Sequence, residues 1–336
     1  MKAPSFWRQE PGTAAAWLGP IGAVYGAVAA ARLRQPGKPA EVPVLCVGNP
    51  TLGGSGKTPT ALALARLLID AGERPFLLSR GYGGRLSGPV RFDLQHHRAE
   101  DVGDEALLLA RAAPTIIAHD RVAGARAAQR RGAGVIVLDD GFQNPSLAKD
   151  LSILVVDAHR GIGNGRVFPA GPLRAPLEAQ LERAQAMLII GDGPAAAEVA
   201  SAAAARGLTL FYGRLRPDAF GVAAIEGSRV LAFAGIGHPE KFFATLADAG
   251  IDVAMRRAFS DHHPFTADEA AALLSEAERA GLSLVTTEKD FVRLAHKRAL
   301  AALAARSRAL PVTLQIDEAD RFRAFVLGAV SSARAS

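Results

Sequence analysis

Apolar residues fall in short unbroken runs, separated by segments whose apolar positions recur every three or four residues, and the two patterns alternate from residue 38 onward. The runs at 42–48, 74–79, 115–118, 135–139, 151–156 and 186–190 predict strands buried on both faces, because a half-exposed strand would alternate apolar with polar. Segments 59–71, 104–112, 121–131 and 194–205 carry the helical period. The alternation predicts an α/β fold, a mostly parallel sheet with flanking helices. A strand-like stretch at 209–213 precedes Arg216-Pro217-Asp218, where the chain is read as entering a second, smaller α/β unit with elements at 230–234, 241–249, 252–257, 267–280, 283–286 and 297–305. The expected division is an apolar helix at 1–36, a first domain at 37–217 and a C-terminal α/β domain at 218–330.

Residues 11–31 carry no charge, a length that could cross a bilayer, yet Ala and Gly dominate and Gly19-Pro20 is expected to break the middle. Trp7, Trp17 and Tyr25 favour a membrane interface, and Arg32, Arg34 and Lys38 would keep the downstream chain on the cytoplasmic side. The segment reads as a membrane-associated helix, spanning or lying in the interface, with a buried amphipathic helix as the alternative.

At 336 residues the chain exceeds the usual single-domain size. Lys and Arg number 39 against 33 Asp and Glu, a formal charge of +6 and a pI of about 9.8, which suits an anionic partner. The basic residues are scattered and lack interleaved aromatics, which argues against nucleic acid. The single Cys46 excludes an intramolecular disulfide and a cysteine metal cluster; it lies in an apolar run, reads as packing, and fits a reducing, cytosol-facing location.

The densest chemistry lies in Gly48-Asn49-Pro50-Thr51-Leu52-Gly53-Gly54-Ser55-Gly56-Lys57-Thr58-Pro59, between a predicted strand and a predicted helix. Thr51, Gly53, Gly54, Ser55 and Gly56 would bring backbone N–H groups to a polyphosphate such as that of ATP, and the helix N-terminus adds partial positive charge. Lys57 would reach the β- and γ-phosphates, and the Thr58 hydroxyl would sit on Mg²⁺. Thr51 stands where the strict P-loop pattern has glycine. A nucleotide-holding loop just downstream also makes a cleaved signal peptide a poor reading of the N-terminus.

Asp139 and Asp140 close the run 135–139. A carboxylate at the end of a strand beside the P-loop strand orients Mg²⁺, and adjacent carboxylates are eased by a cation; an Asp-Gly turn is the plainer alternative. Asp104 and Glu105 open a predicted helix, where Asp104 reads first as a cap and second as a rim carboxylate able to accept a hydroxyl proton. Asp261, His262 and His263 share one loop; adjacent histidines cannot easily share a metal, so a carboxylate-oriented imidazole is favoured over zinc. Glycine-rich basic loops at 79–84 and 160–174 suit phosphate or sugar–phosphate capture, whereas Thr286-Thr287-Glu288-Lys289-Asp290 has no role legible from its chemistry.

Taken together, GNPTLGGSGKTP, SRGYGG, VGDEALLLA, DDGFQ, RGIGNGRVFPAGPLR, AGIGHPEKFF, FSDHH and TTEKD resemble the tetraacyldisaccharide 4′-kinase family, the lipid A kinases of Gram-negative bacteria, over nearly the whole chain. The resemblance implies a membrane-associated P-loop NTPase-like kinase whose second domain closes over the active site. It implies transfer of the ATP γ-phosphate to the 4′-hydroxyl of a tetraacyldisaccharide 1-phosphate, giving lipid IVA, by a monomer at the cytoplasmic face of the bacterial inner membrane. On it Asp104, assisted by His262 with Asp261 and Glu105 close by, becomes the catalytic carboxylate, which displaces the cap reading. Lys57 and Thr58 hold phosphates and Mg²⁺, and Asp139, Asp140 and Glu105 belong to the metal site. Arg121 and Arg174 are active-site cations, with Tyr82 and Gln143 in the cleft. Asn144 departs from the pattern, where many relatives carry His. The alternative class is a membrane-bound P-loop ATPase switch acting on a protein partner, which leaves FSDHH and the 160–174 loop without work.

Overall fold

The unbroken apolar runs become neighbouring strands, as runs without a polar face must. In the computed structural model, which describes residues 4–93, 95–295 and 297–335, nine strands among the described residues form one sheet. Their spatial order is Val312–Ile316, Thr209–Pro217, Ala186–Ile190, Leu151–Asp157, Val44–Gly48, Val135–Asp139, Pro75–Ser79, Thr115–Ile117 and Val90–Arg91. Neighbours are parallel except at the edges, where Val312–Ile316 and Val90–Arg91 run antiparallel to their partners. The strand Val44–Gly48 is central, and its Val47 lies opposite Asp139 on one side and Ile153 on the other. Cys46, Ile136, Leu138 and Leu154 fill the core on one face; Leu45, Val137, Ile153 and Leu188 meet Ala61, Leu64 and Leu68 of the helix Lys57–Asp70 on the other. Both faces being covered, catalytic groups can stand only at the strand ends.

A second sheet of four parallel strands, ordered Asp252–Ala258, Arg229–Ala234, Ser283–Thr287 and Ser307–Leu310, forms the smaller lobe. Its cores hold Leu231, Phe233 and Leu284 on one side and Val230, Ala232 and Val285 on the other. The sequence reading carried this unit to residue 330, but the chain re-enters the large sheet at Val312. Val312, Leu314 and Ile316 alternate with Thr313 and Gln315, the pattern of an edge strand, and pair with Thr209–Pro217. The closing helix Ala319–Ala335 then buries Phe322, Val326 and Val330, spaced by four, in the large lobe's core. The two crossings between lobes are tied where Asp218 N donates to Pro311 O at 2.9 Å.

Near the N-terminus, Thr13–Leu33 is one continuous helix, so Pro20 does not break it. Proline frees the carbonyl four residues back, at Ala16, and both positions are exposed, which removes the penalty of an interior break. A Cβ on Gly22 would come within 2.9 Å of Val167 O, and one on Gly26 within 3.4 Å of Pro176, so the helix backbone lies directly on segment 167–176. Trp7 Nε1 donates to Pro169 O at 3.0 Å and pins the preceding turn to the same segment. The opposite helix face presents Trp17, Ile21, Val24, Tyr25 and Val28 to the outside, Trp17 at 85% exposure.

Candidate active site

The loop leaving Val44–Gly48 enters the helix Lys57–Asp70 through Gly56. Gly56 has φ 95°, and a Cβ there would meet Ile190 Cδ1 at 2.6 Å, so the turn requires glycine twice over. Asn49 Nδ2 donates to the carbonyls of Thr51 (2.6 Å) and Gly53 (3.2 Å), folding the loop onto itself. Thr51 is bridged to Leu173, an extended conformation open to any residue, so the missing glycine has no consequence here. Lys57 and Thr58 begin the helix and Thr58 is buried. Asn49 Oδ1, Ser55 Oγ and Asp139 Oδ1 are buried without a hydrogen-bond partner among the described residues. Such polar atoms at a helix start fit a charged ligand that brings a cation.

Asp139 ends its strand level with the P-loop strand, and burial, then the nearby Glu105 and Asp140, push its carboxyl up to about 7. A carboxylate in that setting calls for positive charge beside it. Asp140, at φ 54°, accepts from Arg174 Nη1 (2.7 Å) and Nη2 (3.2 Å) and stands 3.8 Å from Lys57 Nζ. Burial raises its pKa, but Lys57 and Arg174 outweigh that and hold it below the usual range. Glu105 accepts from Lys289 Nζ at 2.6 Å. Asp140 and Glu105, each engaged by a cationic side chain, are also near enough to Asp139 for their charges to raise its pKa. Among the expected metal-site residues, Asp139 has its Oδ1 without a partner and Thr58 stands at the start of the P-loop helix. Among the described residues no three His, Cys, Asp or Glu gather to hold an ion alone, and magnesium bound through substrate phosphates needs no such cage.

Asp104 is buried at the first position of the helix Asp104–Leu109, where its Oδ1 accepts from Glu105 N at 3.1 Å. Its Oδ2 lies 3.4 Å from His262 Nδ1 and accepts from Arg293 Nε at 2.8 Å and from Arg293 Nη2. Burial raises the carboxyl pKa, and the His262 bond and the Arg293 charge more than reverse this, leaving Asp104 well below the usual range. His262 is raised in turn, first by its bond to Asp104. Among the described residues Asp140 and His262 are the two non-glycine residues with positive φ, and both stand in the site, where such strain concentrates.

The adjacent histidines part company. His262 faces the other lobe, with Asp261 Oδ1 at 3.8 Å from its Nε2; His263 Nε2 meets the Glu269 carboxylate at 2.9 Å, within its own lobe. Tyr82 brings the 79–84 loop over the His262 ring, centroids 6.0 Å apart. Arg174 also donates from Nε to Thr51 O (3.0 Å) and from Nη1 to Gln143 Oε1 (3.3 Å), joining P-loop and DDGFQ turn. Gln143 Nε2 donates to Asn49 O at 2.9 Å. Arg121 is buried; its Nη1 donates to Ala118 O at 2.6 Å and its Nε has no partner. Asn144 accepts from Ser146 N and Lys149 Nζ and so organises its own turn. Lys289 and Arg293 are the functional residues that sequence reasoning missed. They lie one turn apart on the helix Glu288–Ala295, and that spacing beside Asp290 was the available signal. A second seam joins the lobes where Lys241 Nζ meets Asp157 Oδ2 (3.0 Å) and Arg160 Nη2 donates to Gly237 O (2.9 Å).

Residues 14–331 match the family described as tetraacyldisaccharide-1-P 4′-kinase. The tetraacyldisaccharide 4′-kinase of Rhodopseudomonas palustris (strain BisB5) is 54% identical over 334 residues, covering 99% of this chain and 98% of that protein. That of Methylobacterium sp. (strain 4-46) is 59% identical over 312 residues, 93% and 94% of the two chains. A crystal structure of the "apo" form of LpxK from Aquifex aeolicus in complex with ATP aligns with TM-score 0.72 at 25% identity, over 94% of this chain and 99% of that one.

Proposed function

The chain belongs to the tetraacyldisaccharide-1-P 4′-kinase family, and from that membership we infer that it transfers the γ-phosphate of ATP to the 4′-hydroxyl of an acylated disaccharide 1-phosphate, the step of lipid A biosynthesis that gives lipid IVA. One observation carries the reading beyond a nucleotide switch: a P-loop bearing Lys57 and Thr58 shares its cleft with a carboxylate–imidazole pair, Asp104 and His262, drawn from two lobes. A switch has no use for the second.

The loop 51–56 and Lys57 would hold the phosphates of ATP through backbone N–H groups and one ammonium. Magnesium carried by Thr58 and Asp139 would neutralise charge on those phosphates. Arg174 ties Asp140, Gln143 and Thr51 into one frame, so that Lys57 faces an ordered anionic neighbour rather than water. Asp104 stays ionised at any working pH, which makes it a standing acceptor for the 4′-hydroxyl. Its weak basicity suffices in a loose transition state: the new oxygen–phosphorus bond forms late, the bond to the ADP oxygen breaks, and the hydroxyl proton passes to Asp104 as this happens. His262, its pKa raised first by its bond to Asp104, keeps that carboxylate aimed at the cleft. Closing the lobes around the pair excludes water and limits loss of phosphate to hydrolysis.

The exposed face of the helix Thr13–Leu33 would lie on the cytoplasmic face of the inner membrane, with Arg32, Arg34 and Lys38 beside anionic headgroups. Acyl chains then stay in the bilayer while the sugar reaches the cleft, and a monomer is sufficient. ATP turnover that depends on the acylated disaccharide and is indifferent to moderate salt supports this reading; equal turnover without lipid favours a switch.

A further inference from the structure

Asp104 and His262 come from different lobes and face one another only if something fixes both. Arg293 does this with one guanidinium. Its Nε, at 2.8 Å, and its Nη2 donate to Asp104 Oδ2, while Nη1 donates to Asp290 Oδ1 and to Gly235 O, each at 2.8 Å. The same Gly235 carbonyl accepts from His262 N at 3.0 Å. Arg293 therefore holds Asp104 directly, and meets His262 twice: through the carbonyl on which that residue's backbone hangs, and by Nη2 at 3.3 Å from His262 Nδ1. The anchor is rigid: Asp290 is fully buried, and its Oδ2 accepts from Thr287 Oγ1 (2.6 Å) and Gly235 N (3.0 Å). A planar fork engaged by two carboxylates, a carbonyl and an imidazole nitrogen keeps one orientation, which a lysine ammonium would not.

We propose that Arg293, anchored by Asp290, is a positioning residue that sets Asp104 and His262 in register for accepting the hydroxyl proton; this rests on the reading of Asp104 as that acceptor. A merely structural clasp would lower stability whether or not Asp104 were present. A positioning residue acts through Asp104, and its effect vanishes when Asp104 is gone.

The test is a cycle in the full-length enzyme: Arg293→Met and Arg293→Lys, each alone and with Asp104→Ala, measured as kcat and as KM for ATP and for the lipid. Arg293→Met alone is expected to lower kcat about a hundredfold with KM for ATP little changed. Arg293→Lys should recover part of that, and in the Asp104→Ala background Arg293→Met should cause no further fall. Undiminished kcat in Arg293→Met, or the full loss repeated in the Asp104→Ala background, overturns the proposal. Should Arg293→Met fail to fold, Asp290→Asn keeps the shape and removes the anchoring charge; a fall in kcat confined to the Asp104 background supports the proposal, and an unchanged kcat overturns it. If Asp104→Ala alone leaves kcat intact, the base reading falls first and takes the proposal with it.

Discussion

Lys289 Nζ donates to Glu105 Oε1 at 2.6 Å across the seam between the lobes, one residue along from Asp104. Both side chains are about seven-tenths shielded, so the pair is neither a free surface bridge nor a dry one. Removing one partner strands the other charge. Lys289→Met is expected to lower the unfolding free energy by about 1–3 kcal/mol, and adding Glu105→Gln to restore part of it. Urea unfolding of the two singles and the double checks this; strictly additive losses would mean the residues do not interact.

Asp104→Ala should lower kcat by about 10²–10⁴-fold while calorimetric ATP binding survives, because the residue touches neither the P-loop nor the nucleotide's phosphates in the proposed arrangement. Turnover at the level of the unaltered enzyme would remove Asp104 as proton acceptor.

The Asp104–His262 contact also fixes a pH dependence. The bond to Asp104 raises the His262 pKa above its ordinary value, opposed by burial and by Arg293. A raised pKa in the folded state means the contribution of this contact to lobe docking is complete below about pH 6.5 and is lost as pH rises through the folded value. NMR titration of His262 should give a midpoint above that of an exposed histidine, and Asp104→Asn should bring it down. A midpoint that does not move would show that Asp104 does not set the charge of His262.

The strands and the P-loop were legible because their signals are local. An apolar run without a polar face has to be buried on both sides, and Gly-Lys-Thr falls at the required place relative to the run and the helix. What was not legible depends on distant partners. Lys289 and Arg293 gain meaning only beside Glu105 and Asp104, from the other lobe, so their one-turn spacing beside Asp290 marks a shared helix face and not a role. The edge strand Val312–Ile316 did carry an alternating pattern, but its membership of the large sheet depends on the antiparallel return past Thr209–Pro217. Pro20 misled in the opposite sense: a local rule for breaking helices yields where the freed carbonyl is exposed.

The N-terminal helix offers a cleaner test by substitution than by deletion, since Gly22, Gly26 and Trp7 pack on segment 167–176 and their loss would disturb the site loops. Ile21→Asp with Val24→Asp alters the exposed face alone. Each charge opposes insertion into an apolar layer by up to about 3 kcal/mol, so the variant should move from the pelleted to the soluble fraction when sedimented with anionic vesicles, with its thermal unfolding unchanged. Undiminished pelleting would assign anchoring to another surface.

The most direct measurement is transfer of labelled γ-phosphate from Mg-ATP to a tetraacyldisaccharide 1-phosphate in detergent micelles, with Lys57→Ala alongside. The account predicts a lipid product phosphorylated at both ends, formed by the unaltered enzyme and lost with Lys57→Ala. Steady ATP hydrolysis with no phosphorylated lipid would contradict it.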